Sequence, residues 1–208
     1  MEKLLEIKNL RVQYNTDEAV VYALNDFSLD LEKGEILGVV GETGAGKTTM
    51  ALSIMNLLSE HVAEVTGGSI TYNGKDVFKM SKKQLRDLRG AEISMIFQDP
   101  MTSLNPVMTV GDQIDEVLKI HDPSMSKQDR DEKVAEILTL VGIPPERRIQ
   151  FPHQFSGGMK QRVVIAIALA CHPDVLIADE PTTALDVTIQ AQVLEMMKEL
   201  KKQYGTSM

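Results

Sequence analysis

Eight residues, Gly41-Glu42-Thr43-Gly44-Ala45-Gly46-Lys47-Thr48, constrain this chain more than any other stretch, because they fit the pattern G-x-x-x-x-G-K-[ST]. A strand-like apolar run, Glu35 to Val40, precedes them, and a helical pattern from Lys47 to Leu58 follows. Strand, glycine-rich loop and helix in that order are the context in which such a loop works. Glycines let successive backbone N–H groups turn inward without a Cβ clash, so that they line a concavity around an anion. The helix that follows adds its positive N-terminal end. Lys47 then brings a mobile ammonium to the β- and γ-phosphates of a nucleotide, and the Thr48 hydroxyl can ligate Mg²⁺. A plain glycine-rich turn has no use for a lysine and a threonine in this register.

The bulk properties leave that reading room. The chain has 208 residues, enough for a core with a small subdomain. Lys and Arg number 22 against 30 Asp and Glu, a net charge of −8. Such an acidic balance, with no basic block, argues against nucleic acid as the main ligand. It leaves nucleotide open, since a phosphate loop gathers its positive field locally. The single cysteine, Cys171, ends the apolar run from Val163 and reads as a small buried hydrophobe, so no disulfide framework is expected. The start, Met-Glu-Lys-Leu-Leu-Glu-Ile, alternates like a strand rather than a signal peptide. The longest apolar runs reach about half a membrane span, so any membrane role is expected to pass through a partner.

Leu4 to Tyr14 and Val20 to Leu31 alternate as half-buried strands of an antiparallel sheet. Asn73-Gly74 marks a hairpin within Ser69 to Val77. Ser81 caps a short helix that Gly90 ends, and Ile93 to Phe97 is a buried strand. Asp99-Pro100 and Asn105-Pro106 make a loop. Two amphipathic helices fill Val110 to Val141, split at His121 to Ser124, the second capped near Ser126. After a loop to Gly158 come an apolar helix from Met159 to Cys171, a core strand from Asp174 to Ala178, and a last helix from about Asp186 to Tyr204. The fold class this order predicts is α/β: a P-loop core carrying an antiparallel β subdomain and an inserted helical subdomain. We expect one domain over residues 1–208, with the nucleotide-binding core and β subdomain in 1–98 and 159–208. Residues 99–158 form the helical subdomain and the loop that closes it.

Val175-Leu176-Ile177-Ala178 runs into Asp179-Glu180. A buried strand delivers polar atoms at its carboxyl end, where open α/β sheets bind ligands. Asp179 there can hold Mg²⁺, and Glu180 is placed to polarise a water for attack on a γ-phosphate. The metal neutralises Asp179 and so spares Glu180 much of the like-charge penalty. On its own, Asp-Glu-Pro is also a reasonable turn at a solvated strand end. Phe155-Ser156-Gly157-Gly158-Met159-Lys160-Gln161-Arg162 opens the preceding helix with a serine and two glycines, by itself an N-cap with room for an anion.

Taken together these motifs resemble the ATP-binding-cassette (ABC) ATPases, whose signature is LSGGQ followed by QR. This chain has Phe155 for the Leu and Met159 for the Gln, and keeps Ser156, Gly157 and Gly158. The resemblance implies that ATP, with Mg²⁺, is held by the loop from Gly41 through Thr49, with Thr48, Gln98 and Asp179 toward the metal. It implies that Gln98 is the Q-loop glutamine, Glu180 the catalytic carboxylate and Asp186 the D-loop aspartate of Ala184-Leu185-Asp186. Tyr14 is the residue that stacks on adenine, with Tyr22 as the fallback. It further implies a head-to-tail dimer, with a copy of itself or a paralogue. There the loop of one chain faces Ser156-Gly157-Gly158 of the other, and ATP acts as a clamp.

Three longer stretches, Gln98 to Pro106, Phe151 to Met159 and Ala178 to Gln192, are similar to the oligopeptide, dipeptide and nickel branch of bacterial importers. The resemblance then implies an ATPase subunit that powers peptide import, peripheral on the cytoplasmic face of the membrane. It docks on an integral permease through the Gln98 loop and the helical block from Pro100 to Leu118, without nucleic acid. The alternative class is a soluble ABC ATPase working on nucleic acid or ribosomes, against which the acidic balance speaks. A small-molecule kinase fails on Ser156-Gly157-Gly158 and on the position of Glu180. The family places a switch histidine one strand beyond the last helix. The four histidines here, His61, His121, His153 and His172, all precede Glu180. The expectation is therefore a chain truncated at its C-terminus that binds Mg-ATP but turns it over poorly.

Overall fold

Alternation at the amino end becomes a four-stranded antiparallel sheet, ordered β2-β1-β3-β4, from β1 (Lys3–Asn15), β2 (Val20–Glu32), β3 (Ala63–Tyr72) and β4 (Lys75–Asp76). The computed structural model describes residues 3–98, 103–181 and 187–208. They fall into two units, Met1–Arg89 with Ser207–Met208, and Gly90–Thr206.

In the first unit β1 is central and buries Leu5, Ile7, Leu10 and Val12. Its pairing with β3 slips between Lys8 and Arg11, opposite Gly67 and Ser69. Gly68 sits at that slip with φ +86°, where a Cβ would lie 2.5 Å from the carbonyl oxygens of both Lys8 and Asn9. No side chain fits there, and the bulge depends on the glycine. Asn73 and Gly74, with φ 47° and 72°, make the two-residue turn joining β3 to β4, as the dipeptide predicts. Helices α1 (Lys47–Ile54) and α2 (Lys82–Leu88) complete the unit. The second carries a capping box in which Ser81 and Gln84 satisfy each other's backbone N–H.

One expectation fails. Glu35 to Val40 reads as a strand, yet none forms there. Leu37 N–H donates to Met208 O and Met208 N–H to Glu35 O, each at 2.8 Å, and beyond that point Val39 and Val40 stand exposed, Val40 at 94%. An apolar extended run becomes a strand only where another strand takes up its N–H and C=O groups. Among the described residues, only the tail at 207–208 begins to do so.

The second unit is built on a parallel pair, β5 (Ile93–Ile96) and β6 (Val175–Ala178), in register from Ile93↔Val175 to Ile96↔Ala178. All four β5 residues are buried, which explains their unbroken apolar run. Around the pair lie α3 (Val110–His121), α4 (Lys127–Leu140), α5 (Gly157–Leu169) and α6 (Val187–Tyr204). Thr109, Ser126 and Ser156 cap the first three, each hydroxyl accepting a backbone N–H three residues on. Ile114 and Leu118 from α3, Ile137 and Leu138 from α4, and Val163 and Ile165 from α5 supply the core. Arg130 pairs with Asp115 at 2.7 Å, both largely buried, and ties α4 to α3. His172, after α5, stacks on Tyr204 at 4.4 Å. Burial holds its imidazole below the ordinary value, with Lys133 acting in the same direction.

Candidate nucleotide site

In the first unit the loop from Gly41 enters α1 through Gly46, the helix N-cap, at φ +87°. A Cβ at Gly46 would collide with the carbonyl oxygen of Ala23 and come within 2.9 Å of Leu24 Cδ2. Backbone hand and close approach to β2 therefore both demand glycine here. Gly44 is also left-handed. A glycine cap brings no side-chain acceptor, and the first turn of α1 contains no acidic residue. Neither a cap side chain nor a first-turn carboxylate competes with an anion at this helix end, and the helix dipole favours one there. Lys47 reaches back over the loop, and Nζ donates to Gly41 O at 2.8 Å and Glu42 O at 3.1 Å. Both bonds go to carbonyls, which an ammonium exchanges readily for phosphate oxygens.

Thr49, two residues further along, is buried and shares a 3.2 Å hydrogen bond with the Tyr14 hydroxyl. That bond places the half-buried Tyr14 ring beside the helix that begins at the loop. Tyr22 is 75% exposed.

In the second unit the parallel register does the positioning. Ile96 lies opposite Ala178, so the residues two beyond each, Gln98 and Glu180, emerge side by side at the carboxyl ends of β5 and β6. Gln98 Nε2 donates to Glu180 Oε2 at 2.8 Å. Between them Asp179 N–H donates to Ile96 O at 3.0 Å, extending the ladder by one bond, and Asp179 is buried. Glu180 has φ +49°, a left-handed conformation uncommon for a side chain of this size and costing about 1–3 kcal/mol. Backbone strain of that kind is kept where a side chain must be aimed.

The turn before α5 lies in the same unit. Ser156 Oγ accepts from Met159 N–H at 3.4 Å, Ser156 and Gly157 are exposed, and nothing stands within 4 Å of where a Gly157 Cβ would be. Phe155 beneath them is buried. The guanidinium of Arg147, which sequence reasoning passes over as part of a polar turn, packs on this Phe155 ring. Asp186, and with it Ala184-Leu185, lies outside the described residues, as do Asp99 to Thr102.

A glycine loop that enters its helix through a left-handed glycine cap, with a lysine folded back over the loop carbonyls, defines the class: a P-loop protein. The ABC transporter family model matches residues 24–183, and the chain belongs to that family. Within it, the dipeptide transport ATP-binding protein DppD of Bacillus subtilis (strain 168) is 54% identical over 100% of this chain and 62% of its own length. The oligopeptide transport ATP-binding protein OppD of Escherichia coli (strain K12) is 49% identical over 99% of this chain and 61% of its own. The chain thus spans about three fifths of the curated relatives it matches. Among solved structures, the ATP-binding cassette MJ0796, dimeric in a post-hydrolysis state with ADP and Pi, superposes with a TM-score of 0.86 at 28% identity, covering 98% of this chain and 85% of that one.

Proposed function

We propose that this chain binds Mg-ATP and hydrolyses it to power import of peptides through a membrane permease. The glycine-capped N-terminus of α1, with Lys47 folded over the loop carbonyls, carries the reading. On it the amides from Gly41 to Thr48 and the Lys47 ammonium grip the β- and γ-phosphates, Thr49 closes the loop against Tyr14, and the Tyr14 ring stacks on adenine. Glu180, oriented by Gln98, polarises the attacking water. Among the described residues no cluster of three or more His, Cys, Asp or Glu could hold a metal alone. Mg²⁺ needs no such cluster, because one or two carboxylates suffice beside neutral oxygens, phosphate and water. Thr48, Gln98 and Asp179 are the residues that would hold it, and its contribution there would be to neutralise charge on the phosphates.

Ser156, Gly157 and Gly158 serve the ATP of a second chain, a copy or a paralogue, as does Asp186. The dimeric cassette with ADP and Pi supports that arrangement. No helix among the described residues is long and apolar enough to cross a membrane. The transport relatives support membrane contact through the permease and a peripheral place on the cytoplasmic face. The Gln98 loop and the helical block from Pro100 to Leu118 are the docking element. The names of the half-identical relatives support dipeptides or oligopeptides as cargo, and nothing favours a nucleic-acid partner.

Calorimetry tests the first step: ATP with Mg²⁺ should titrate the chain to saturation, and an absence of heat overturns the reading. Purification from membranes should bring an integral permease with the protein, and recovery with nucleic acid instead favours the soluble alternative.

A further inference from the structure

The signature turn departs from the family pattern at Phe155 and Met159, and a single side chain touches both. Arg147 lies in the short helical turn Pro145–Ile149. Its guanidinium carbon stands 4.4 Å from the centroid of the Phe155 ring. Nη1 is 3.2 Å from Met159 Sδ, and Nη2 donates to Gln154 O at 3.2 Å. Nε donates to Gln150 Oε1 at 2.7 Å, which fixes the plane of the group. Gln154 is held from its other end, its Oε1 accepting from Phe151 N–H at 2.8 Å.

These contacts bracket the functional residues. Gln154 and Phe155 come just before Ser156-Gly157-Gly158, and Met159 just after. The pair of glycines has no side chains with which to fix its own conformation, so its order must come from the flanks. A planar guanidinium stacks on a ring while donating in its own plane, and the sulfur accepts weakly at its edge. A lysine ammonium cannot make that combination.

We infer that Arg147 is the positioning residue of the signature turn. By clamping Phe155 and Met159 it holds Ser156-Gly157-Gly158 and the N-terminus of α5 in place before a partner's γ-phosphate arrives. The entropy of ordering the turn is then spent in folding rather than in closing the dimer. The inference rests on the proposed ATP-clamped dimer and assigns the two departures from the family signature to one device.

The test uses the Glu180→Gln protein, in which ATP is held without turnover, and reads dimer formation by analytical ultracentrifugation with Mg-ATP. Arg147→Ala should weaken the dimer about tenfold while leaving the ATP affinity of the single chain within about twofold. Arg147→Lys, which keeps the charge and spares the fold, should recover only a small part. In a background carrying Phe155→Leu and Met159→Leu, which remove ring and sulfur and leave only the bonds to Gln150 and Gln154 O, Arg147→Ala should cost less than about threefold. A merely structural arginine would lower melting temperature and ATP affinity together, with additive effects. Additivity, or a dimer of parental strength in Arg147→Ala and Arg147→Lys, overturns the inference. Failure of the Glu180→Gln parent to dimerise with ATP overturns the clamp reading and this inference with it.

Discussion

Lys47→Ala should weaken ATP binding about hundredfold, the largest loss expected from any single change in the first unit. The ammonium donates to Gly41 O and Glu42 O, which puts it over the loop proposed to grip the phosphates. Hydrogen bonds to charged groups contribute about 1.5–3 kcal/mol each, and losing one such contact with each of two phosphates amounts to about 3 kcal/mol, or two decades. The loop carbonyls also lose their internal donor, which should lower the melting temperature slightly without ligand. Calorimetry separates the effects, since loosening of the loop appears in the ligand-free melt and loss of phosphate contact in the titration. Lys47→Arg keeps the charge but presents a rigid fork where a point charge is wanted, and should recover little affinity. Parental affinity in Lys47→Ala would mean that the phosphates bind elsewhere, and the assignment of the loop would fall.

What the sequence disclosed of this site follows from what each signal reports. The loop was legible because residue identity is itself the mechanism: Gly46 must be glycine for both its φ and its approach to Ala23, and Lys47 supplies the charge. Caps at Ser81, Ser126 and Ser156 were legible for the same reason, a hydroxyl answering an orphan N–H. The strand expected at Glu35 to Val40 failed because an apolar pattern reports a tendency to be buried and says nothing of the neighbour that must bury it. The first half of β3, Ala63 to Gly68, went unassigned because Gly67-Gly68 looks like a turn, whereas it makes room for the bulge against Asn9. The Gln98–Glu180 bond spans 82 residues and became visible only through the register of two parallel strands. Arg147 was missed because a charged residue after two prolines reads as solvated, and only the tertiary fold brings Phe155 beneath it.

That same register makes Glu180→Gln the sharpest test of the chemistry. The substitution is close to isosteric, and the new amide oxygen can still accept from Gln98 Nε2, so the geometry at the ends of β5 and β6 should persist. What goes is the proton acceptor. A positioned general base contributes about 10²–10⁴ in rate, and turnover should fall by at least hundredfold. ATP binding should hold or strengthen, because a negative charge is removed from the neighbourhood of the triphosphate. The dimer should accumulate with ATP, since the step that breaks it is slowed. Gln98→Ala makes the contrast: it leaves the carboxylate in place and removes the donor that aims it together with a residue proposed to hold Mg²⁺, so at saturating Mg²⁺ a smaller loss of about tenfold is expected, with no accumulation of dimer. Steady-state ATPase rates and size-exclusion chromatography on the two variants distinguish a base from its orienting group. Were Glu180→Gln to turn over ATP at the parental rate, the strained backbone at Glu180 would have to serve something other than hydrolysis, and Asp179 would be left as the carboxylate to examine.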